Sequence, residues 1–273
     1  MTSRSRLIRE LAILAAVAMV LGFAAFAAQR FLLTPRAMTT DIARSMDDAL
    51  GPLILRRVEL SQSEVTNPAV DKAFALILAR LRPALVQLAP GSPGIRIVVI
   101  DSPTVNAFTL PGGIICVDTG LMRSLDSAEQ MSAILGHELS HVAHRDPLTL
   151  MARQVGVSAL AGLLTGGHGG DLTRTLAQTL VSVHYGREAE DRADAFAVQL
   201  LARADVAPSS FAQALQRIRK HEPKDPRLVT WIDTHSPIEE RIARAAQEAS
   251  KLSVTPRVIG VNWRMLVAKL PKS

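Results

Sequence analysis

The longest apolar run of the chain lies close to its N-terminus. Residues 11–28 contain no charged or strongly polar side chain. As a helix they would measure roughly 27 Å, close to the hydrocarbon core of a bilayer at about 30 Å. Because residues 31–33 are also apolar, the pattern predicts a transmembrane anchor over residues 11–33. A signal peptide cleaved at Ala25-Phe26-Ala27 is the alternative, although the apolar part of such peptides is shorter, about 7–15 residues.

Beyond this run, apolar and polar positions alternate as in a globular domain. We therefore divide the chain into five parts. A cytoplasmic N-terminus (1–10) and the anchor (11–33) are followed by a connecting segment with one short helix (34–66), a domain (67–250) and a tail (251–273). Within the domain, the glycine-rich residues 163–172 predict a flexible loop, with a lid over a cleft as the alternative.

Helix and strand signals alternate in the first half of the domain. Asn67 followed by Pro68 is typical of a helix start, and Pro83 is expected to end that helix. Its apolar residues repeat at helical spacing: Val70, Phe74, Ile77, Leu78 and Leu81. Three short apolar runs predict strands, at residues 95–100, 107–110 and 114–117. The sequence Pro111-Gly112-Gly113 predicts a type II turn between the last two, because the second turn residue needs a positive φ.

Composition and charge narrow the possible partners. The net charge of +6 is spread along the chain, which is typical of a basic solvated surface, so we expect no nucleic-acid partner. Arg4, Arg6 and Arg9 precede the apolar run and should keep the N-terminus in the cytoplasm, with the bilayer as a partner. Since Cys116 is the single cysteine, no internal disulfide can form. No sequence feature indicates an oligomeric state.

Residues 137–141 read HELSH, a pattern that places two histidines one helical turn apart. Two such imidazoles can bind one Zn²⁺, and Glu138 beside the first can accept a proton from water. The residues fall in a predicted helix that begins at the capping sequence DSAE, residues 126–129. A chain with 7 histidines would show this pattern by chance on the order of 1% of the time. A structural histidine pair is the alternative.

A catalytic zinc ion usually takes three protein ligands, so one more is needed. His144 lies a further turn along the same helix, where it cannot easily reach the same ion. Other candidate ligands include His168, His184 and His235. Glu190 and Asp194 share one face of a predicted helix over residues 185–204, where one carboxylate could bind the ion and the other orient a histidine. Spacing alone does not separate Glu190 from its acidic neighbours.

Four stretches, taken in order, resemble the membrane-linked zinc endopeptidases that include HtpX and the CAAX prenyl protease, within the gluzincins. They are VNAFTLPGGIICVDTGLM (105–122), GHELSHVAHRD (136–146), RxxExxxD (187–194) and THSPIEERI (234–242). The resemblance implies an α+β, mainly helical, zincin-like domain with a small β-hairpin beside the active-site helix. Because no multi-span membrane domain is evident, we expect a single-anchor or exported member.

The resemblance also implies the ligands of the metal. His137, His141 and Glu190 would bind one zinc ion per chain, and Glu138 would act as the general base. Asp194 would hydrogen-bond a ligand histidine.

Further residues take their expected roles from the same resemblance. Arg241 would brace the site through carboxylates. His235 would donate a hydrogen bond to the oxyanion, or act as a fourth ligand that silences the enzyme, unless it is a surface histidine. The strand with Asn106, Ala107 and Phe108 would be the edge that receives an extended polypeptide substrate.

Together these expectations describe an anchored zinc endopeptidase in the bacterial inner membrane with its domain in the periplasm. Its substrates would be unfolded or mislocalised envelope and membrane proteins. Export after signal cleavage, or a mitochondrial inner membrane, are alternative locations. A chaperone-like or scaffold protein with a structural or closed zinc site is the rival function, but a structural site has no use for Glu138.

Overall fold

The computed structural model describes residues 40–60, 62–165, 170–182, 185–221 and 238–271, together with Met19 and Trp231. Helices in this part of the chain are α1 (Thr40–Glu59), α2 (Pro68–Leu88), α3 (Thr119–Ser124), α4 (Ala128–Ala143), α5 (Asp146–Val155), α6 (Val157–Leu164), α7 (Gly170–Ser182), α8 (Arg187–Arg203), α9 (Ser209–Lys220), α10 (Ile238–Ser250) and α11 (Trp263–Val267). The strands are β1 (Arg96–Ile100), β2 (Ala107–Leu110) and β3 (Ile114–Asp118). This mainly helical fold with a small sheet confirms the α+β, mainly helical part of the predicted fold class.

The three strands form one sheet in the order β1-β3-β2. β1 runs parallel to β3, with Arg96 opposite Ile114, and β2 runs antiparallel to it. All three strands were predicted within one residue of their bounds. Gly112, in the turn between β2 and β3, has φ 74° and ψ 16°, as the second turn residue of a type II turn requires. A Cβ atom there would lie 2.9 Å from the carbonyl oxygen of Asp47, so α1 packs directly on this turn.

The sheet separates two apolar clusters, because successive strand residues point to opposite faces. One cluster joins α1, α5, α6 and α7 to the strand residues Val98, Ile100, Phe108, Leu110, Ile114 and Cys116. The other joins α2, α4, α8, α9 and α10 to Val99, Ala107, Ile115 and Val117. The HELSH helix, α4, therefore packs on the second face, beside β2 as predicted.

Two helices are longer than the sequence indicated. The expected short helix after the anchor is the 20-residue α1, whose buried Leu50 and Ile54 pack on the sheet. The prediction that Pro83 ends α2 was wrong, because the helix continues to Leu88. Proline removes one backbone donor, but the burial of Ala84 and Leu85 stabilises the continued helix.

The starts of two helices agree more closely with the sequence. The Asn67 side chain caps α2 by accepting the amide N–H of Ala69 at 2.9 Å. For α4 the capping box is shifted by one residue from the expected one. Ser127 accepts from the N–H of Gln130, and the Gln130 side chain accepts from the N–H of Asp126.

No single helix in the described residues is long and apolar enough to cross a bilayer. α5 and α6 reach that length and composition only as a pair, and they bend by 103° at the break between them. The anchor predicted over residues 11–33 lies outside the described residues, apart from Met19. The membrane topology therefore stays a prediction.

Candidate metal centre

Helix α4 supplies three polar side chains that are completely buried. His137, Glu138 and His141 each have 0% exposure. The helical turn between the histidines brings His137 Nε2 to 3.2 Å from His141 Nε2. This juxtaposition follows from the helical period alone, as the sequence predicted.

Helix α8 crosses α4 closely and brings a carboxylate to the two imidazoles. The crossing is tight at Gly136, where a Cβ atom would lie 3.3 Å from Cα of Ala197. On the same helix, Glu190 Oε2 lies 3.5 Å from His137 Nε2, and Glu190 Oε1 lies 3.6 Å from His141 Nε2. The acid that joins the histidines is therefore Glu190, while its neighbour Glu188 is exposed.

The three side chains fit a metal ion. Their donor atoms lie within 4.8 Å of one another, and all three residues are buried. Two ligands of a tetrahedral zinc ion are about 3.4 Å apart, close to the separations observed here. Neither carboxylate oxygen of Glu190 has a hydrogen-bond partner among the described residues. Buried polar atoms are rarely unpaired, and a cation would satisfy both oxygens.

The protonation of these groups also reflects their burial. Burial raises the pKa of Glu190 to about 9. Burial, followed by the nearby charge of Arg241, holds the pKa of His137 well below its ordinary value. A neutral imidazole is the form that binds a metal, and a bound cation would favour the ionised form of Glu190.

A carboxylate and a guanidinium lie on the Nδ1 side of the His137 imidazole. Asp194 Oδ1 lies 3.0 Å from His137 Nδ1, which directs Nε2 of that imidazole toward Glu190. Arg241 donates from Nε to Asp194 Oδ2 at 2.8 Å and from Nη2 to Oδ1 at 2.5 Å. Arg241 has 0% exposure, and its guanidinium lies 4.3 Å from the ring centroid of Trp231. The structure thus brings Asp194 and Arg241 together beside His137, and the roles that the resemblance implies for them stay predictions.

His141 has a matching pair of partners that the sequence analysis did not identify. Asp146 Oδ2 lies 2.9 Å from His141 Nδ1, and Arg192 Nη2 lies 2.9 Å from both oxygens of Asp146. Burial alone would raise the pKa of Asp146, but the His141 hydrogen bond and the Arg192 charge outweigh it and lower that pKa. Asp146 lies past the end of α4, beyond Arg145 with φ 52°, so helical spacing could not have placed it.

Three more residues at the site gave no signal in the sequence. Thr109 Oγ1 lies 2.7 Å from Glu138 Oε2, and Trp231 Nε1 lies 3.3 Å from Glu138 Oε1. The ring of Tyr185 stacks on the imidazole of His141, with centroids 4.1 Å apart. Burial raises the pKa of Glu138 above its ordinary value, although His141, Thr109 and Trp231 oppose that rise.

Other candidate residues of the sequence analysis lie away from the metal group or outside the described residues. His144 is exposed, and its Nδ1 lies 2.8 Å from the carbonyl oxygen of Ser140, so it takes no part in the group. His168, His184 and His235 are outside the described residues. β2 is a terminal strand in the order of the sheet. Its role in receiving substrate, predicted for Asn106, Ala107 and Phe108, stays a prediction.

Comparisons with known proteins find a matching family model and several similar proteases. The model of a family described as peptidase family M48 matches residues 77–249. The chain is 30% identical over 211 residues to the mitochondrial metalloendopeptidase OMA1 of Bos taurus, covering 67% of this chain and 40% of that one. It is 32% identical over 223 residues to a protease HtpX homologue of Acidiphilium cryptum, covering 65% of this chain and 75% of the relative. Against metalloprotease LoiP of Escherichia coli it is 28% identical over 185 residues, covering 66% and 72%.

Proposed function

The chain belongs to peptidase family M48, and we propose that it is a zinc-dependent endopeptidase. Membership confirms the family and the class of enzyme, a metalloendopeptidase, that the sequence resemblance implied. The observation that carries the proposal is the buried group of His137, His141 and Glu190, with Glu138 beside it. Two imidazoles and one carboxylate match a catalytic zinc site, which keeps a fourth position for water or substrate.

Each residue in and around the metal group would have its own role in the reaction. Zinc held by the three ligands would polarise the scissile carbonyl and lower the pKa of a water molecule. Glu138 would take the proton of the attacking water on its carboxylate and pass it to the leaving nitrogen. Asp194 and Asp146 would accept the Nδ1–H of His137 and His141, and so hold each Nε2 toward the ion.

We further propose the substrate and the location. The chain would act on unfolded or mislocalised envelope and membrane proteins, whose extended backbone would pair with β2 at Asn106, Ala107 and Phe108. Residues 11–33 would anchor it in the bacterial inner membrane, with the domain in the periplasm. The apolar run, the preceding arginines and the bacterial relatives support this location. His235 would donate to the oxyanion or gate the site.

The test compares cleavage of unfolded casein by the full chain, purified in detergent, with and without a zinc chelator and beside Glu138→Gln. We expect the chelator to abolish cleavage and zinc to restore it. Glu138→Gln should keep its zinc but lose activity by at least about 100-fold, since it lacks the proton acceptor. If zinc is bound and neither treatment changes cleavage, the endopeptidase proposal is wrong, and a structural zinc site in a scaffold protein becomes the better account.

A further inference from the structure

The carboxylate of Glu138 lies between two neutral hydrogen-bond donors from distant parts of the chain. The Thr109 hydroxyl is 2.7 Å from Oε2, and the indole N–H of Trp231 is 3.3 Å from Oε1. Glu138, Thr109 and Trp231 all have 0% exposure. Both donors therefore contact the carboxylate where bulk water does not reach it.

A glutamate needs such partners if its carboxylate is to keep one orientation. The terminal torsion of glutamate is broad, so the side chain alone does not set the plane of the carboxylate. An ionised carboxylate that is buried without donors is also strongly destabilised. A donor to each carboxylate oxygen opposes both problems.

The fold ties both donors to one short stretch of chain. Thr109 lies in β2 and points to the face of the sheet on which α4 packs, while Phe108 and Leu110 point to the other cluster. Trp231 is bound to the residues just before β2, because its backbone N–H donates to the carbonyl oxygen of Val105 at 2.9 Å. Residues 105–109 thus support two contacts to Glu138, and Asn106, Ala107 and Phe108 in the same stretch are also predicted to contact substrate.

We propose that Thr109 and Trp231 are positioning residues that hold the Glu138 carboxylate in the plane from which it accepts a proton. This proposal rests on the proposed function, because it assumes that Glu138 is the base. It assigns no contact with substrate to either residue. A packing role alone would need the shape of Thr109 but not its hydroxyl, and the shape of Trp231 but not a hydrogen bond from its N–H. Matched variants separate the two roles at Thr109, and direct observation of the indole N–H separates them at Trp231.

The first test observes the indole hydrogen bond without any turnover. The chain has two tryptophans, so ¹⁵N-indole labelling of the full chain in detergent should produce two cross-peaks, assigned by Trp231→Phe. Trp263 is the internal control, because its Nε1 donates to the carbonyl oxygens of Met122 and Leu125. We expect Glu138→Gln to shift the Trp231 cross-peak upfield, because a charge-assisted bond becomes a weaker neutral one. A Trp231 cross-peak that shifts no more than that of Trp263 would overturn the proposal.

The second test measures cleavage by a matched pair of variants. Thr109→Val keeps the shape of the side chain and loses the hydroxyl, whereas Thr109→Ser keeps the hydroxyl and loses a methyl group. We expect Thr109→Val and Trp231→Phe to lower kcat on the order of tenfold, as loss of one hydrogen bond to a charged group implies. KM and the zinc content should remain unchanged, and Thr109→Ser should keep most of its kcat.

The outcomes separate failure of this inference from failure of the proposed function. If wild type and Glu138→Gln cleave equally, the function is wrong, and the positioning role fails with it even if the cross-peak shifts. If wild type is active but Thr109→Val and Trp231→Phe retain its kcat, only the positioning role is wrong. If Thr109→Ser loses as much kcat as Thr109→Val, packing rather than the hydroxyl matters, which also overturns the role.

Discussion

Each histidine of the site is held by an aspartate, and each aspartate is held by an arginine, but the two sets differ in burial. We name them the buried triad (His137, Asp194, Arg241) and the rim triad (His141, Asp146, Arg192). The Arg241 side chain has 0% exposure, whereas the Arg192 side chain has 35%. The imidazole–aspartate distances are nearly equal, at 3.0 and 2.9 Å.

The difference in burial implies that two ion pairs of the same chemistry stabilise the fold by different amounts. Removing one partner of a buried ion pair leaves an uncompensated charge away from water, which is strongly destabilising. A pair with a solvated arginine loses little, because water replaces the missing partner and salt screens the attraction. We therefore expect both triads to orient their histidines, and the buried triad alone to be essential for folding.

The largest expected effect distinguishes the two arginines by stability. Arg241→Met should lower the free energy of unfolding by about 3–5 kcal/mol, because Asp194 is left buried without its cation. Arg192→Met should lower it by less than about 1 kcal/mol. Urea titrations of both variants, followed by tryptophan fluorescence, measure the difference, with Arg241→Lys as the variant that retains the charge. Equal losses for Arg241→Met and Arg192→Met would show that burial does not separate the triads.

A smaller effect is expected when each aspartate is neutralised. Asp194→Asn and Asp146→Asn should each weaken zinc binding by about 10–100-fold, since each aspartate contacts the Nδ1 of an imidazole that we propose as a zinc ligand. The loss should be larger for Asp194→Asn, because the buried Arg241 then loses the anion to which it donates two hydrogen bonds. Competition with a chromophoric chelator measures both affinities. If Asp146→Asn binds zinc as tightly as the wild type, the rim triad does not serve the metal.

The smallest expected effect concerns ionic strength. The interaction of Arg192 with Asp146 should be screened by salt, whereas that of Arg241 with Asp194 should not, because the latter is shielded from solvent. We expect Arg192→Met to weaken zinc binding by about two- to fivefold at low salt and to match the wild type at high salt. Chelator competition at several salt concentrations checks this. A deficit that persists at high salt would mean that Arg192 acts through packing rather than charge.

How readily each of these residues could be predicted depends on how far apart in the chain the contacting residues lie. The two histidines and Glu138 are neighbours on one helix, so the sequence predicted their juxtaposition without the rest of the fold. Glu190 was one of several acids on a predicted helix, and the family resemblance was needed to choose it. Asp146 follows the same helix closely but was missed, because the left-handed Arg145 changes the direction of the chain.

The secondary structure shows the same difference between local and long-range contacts. The strands, the glycine turn and the Asn67 cap depend on neighbouring residues, and the sequence predicted them. The length of α1 and the continuation of α2 past Pro83 depend on burial against other elements, and there the local signals were misleading. The sequence analysis assigned no role to Thr109 or Trp231, because a threonine in a strand and a single tryptophan are ordinary in isolation.

The sequence by itself determined the chemistry available at the centre of this protein. The helical period places His137 one turn from His141, and no packing is required for that. Spacing along the chain did not select the acid that completes the group, and only the tertiary structure showed that Asp146 contacts His141 and that Thr109 and Trp231 contact Glu138. Those contacts depend on the close crossing of α4 and α8 at Gly136 and on the face of β2 that meets α4. They arise from burial, which brings together residues that are far apart in the chain and removes the water that would otherwise replace their contacts.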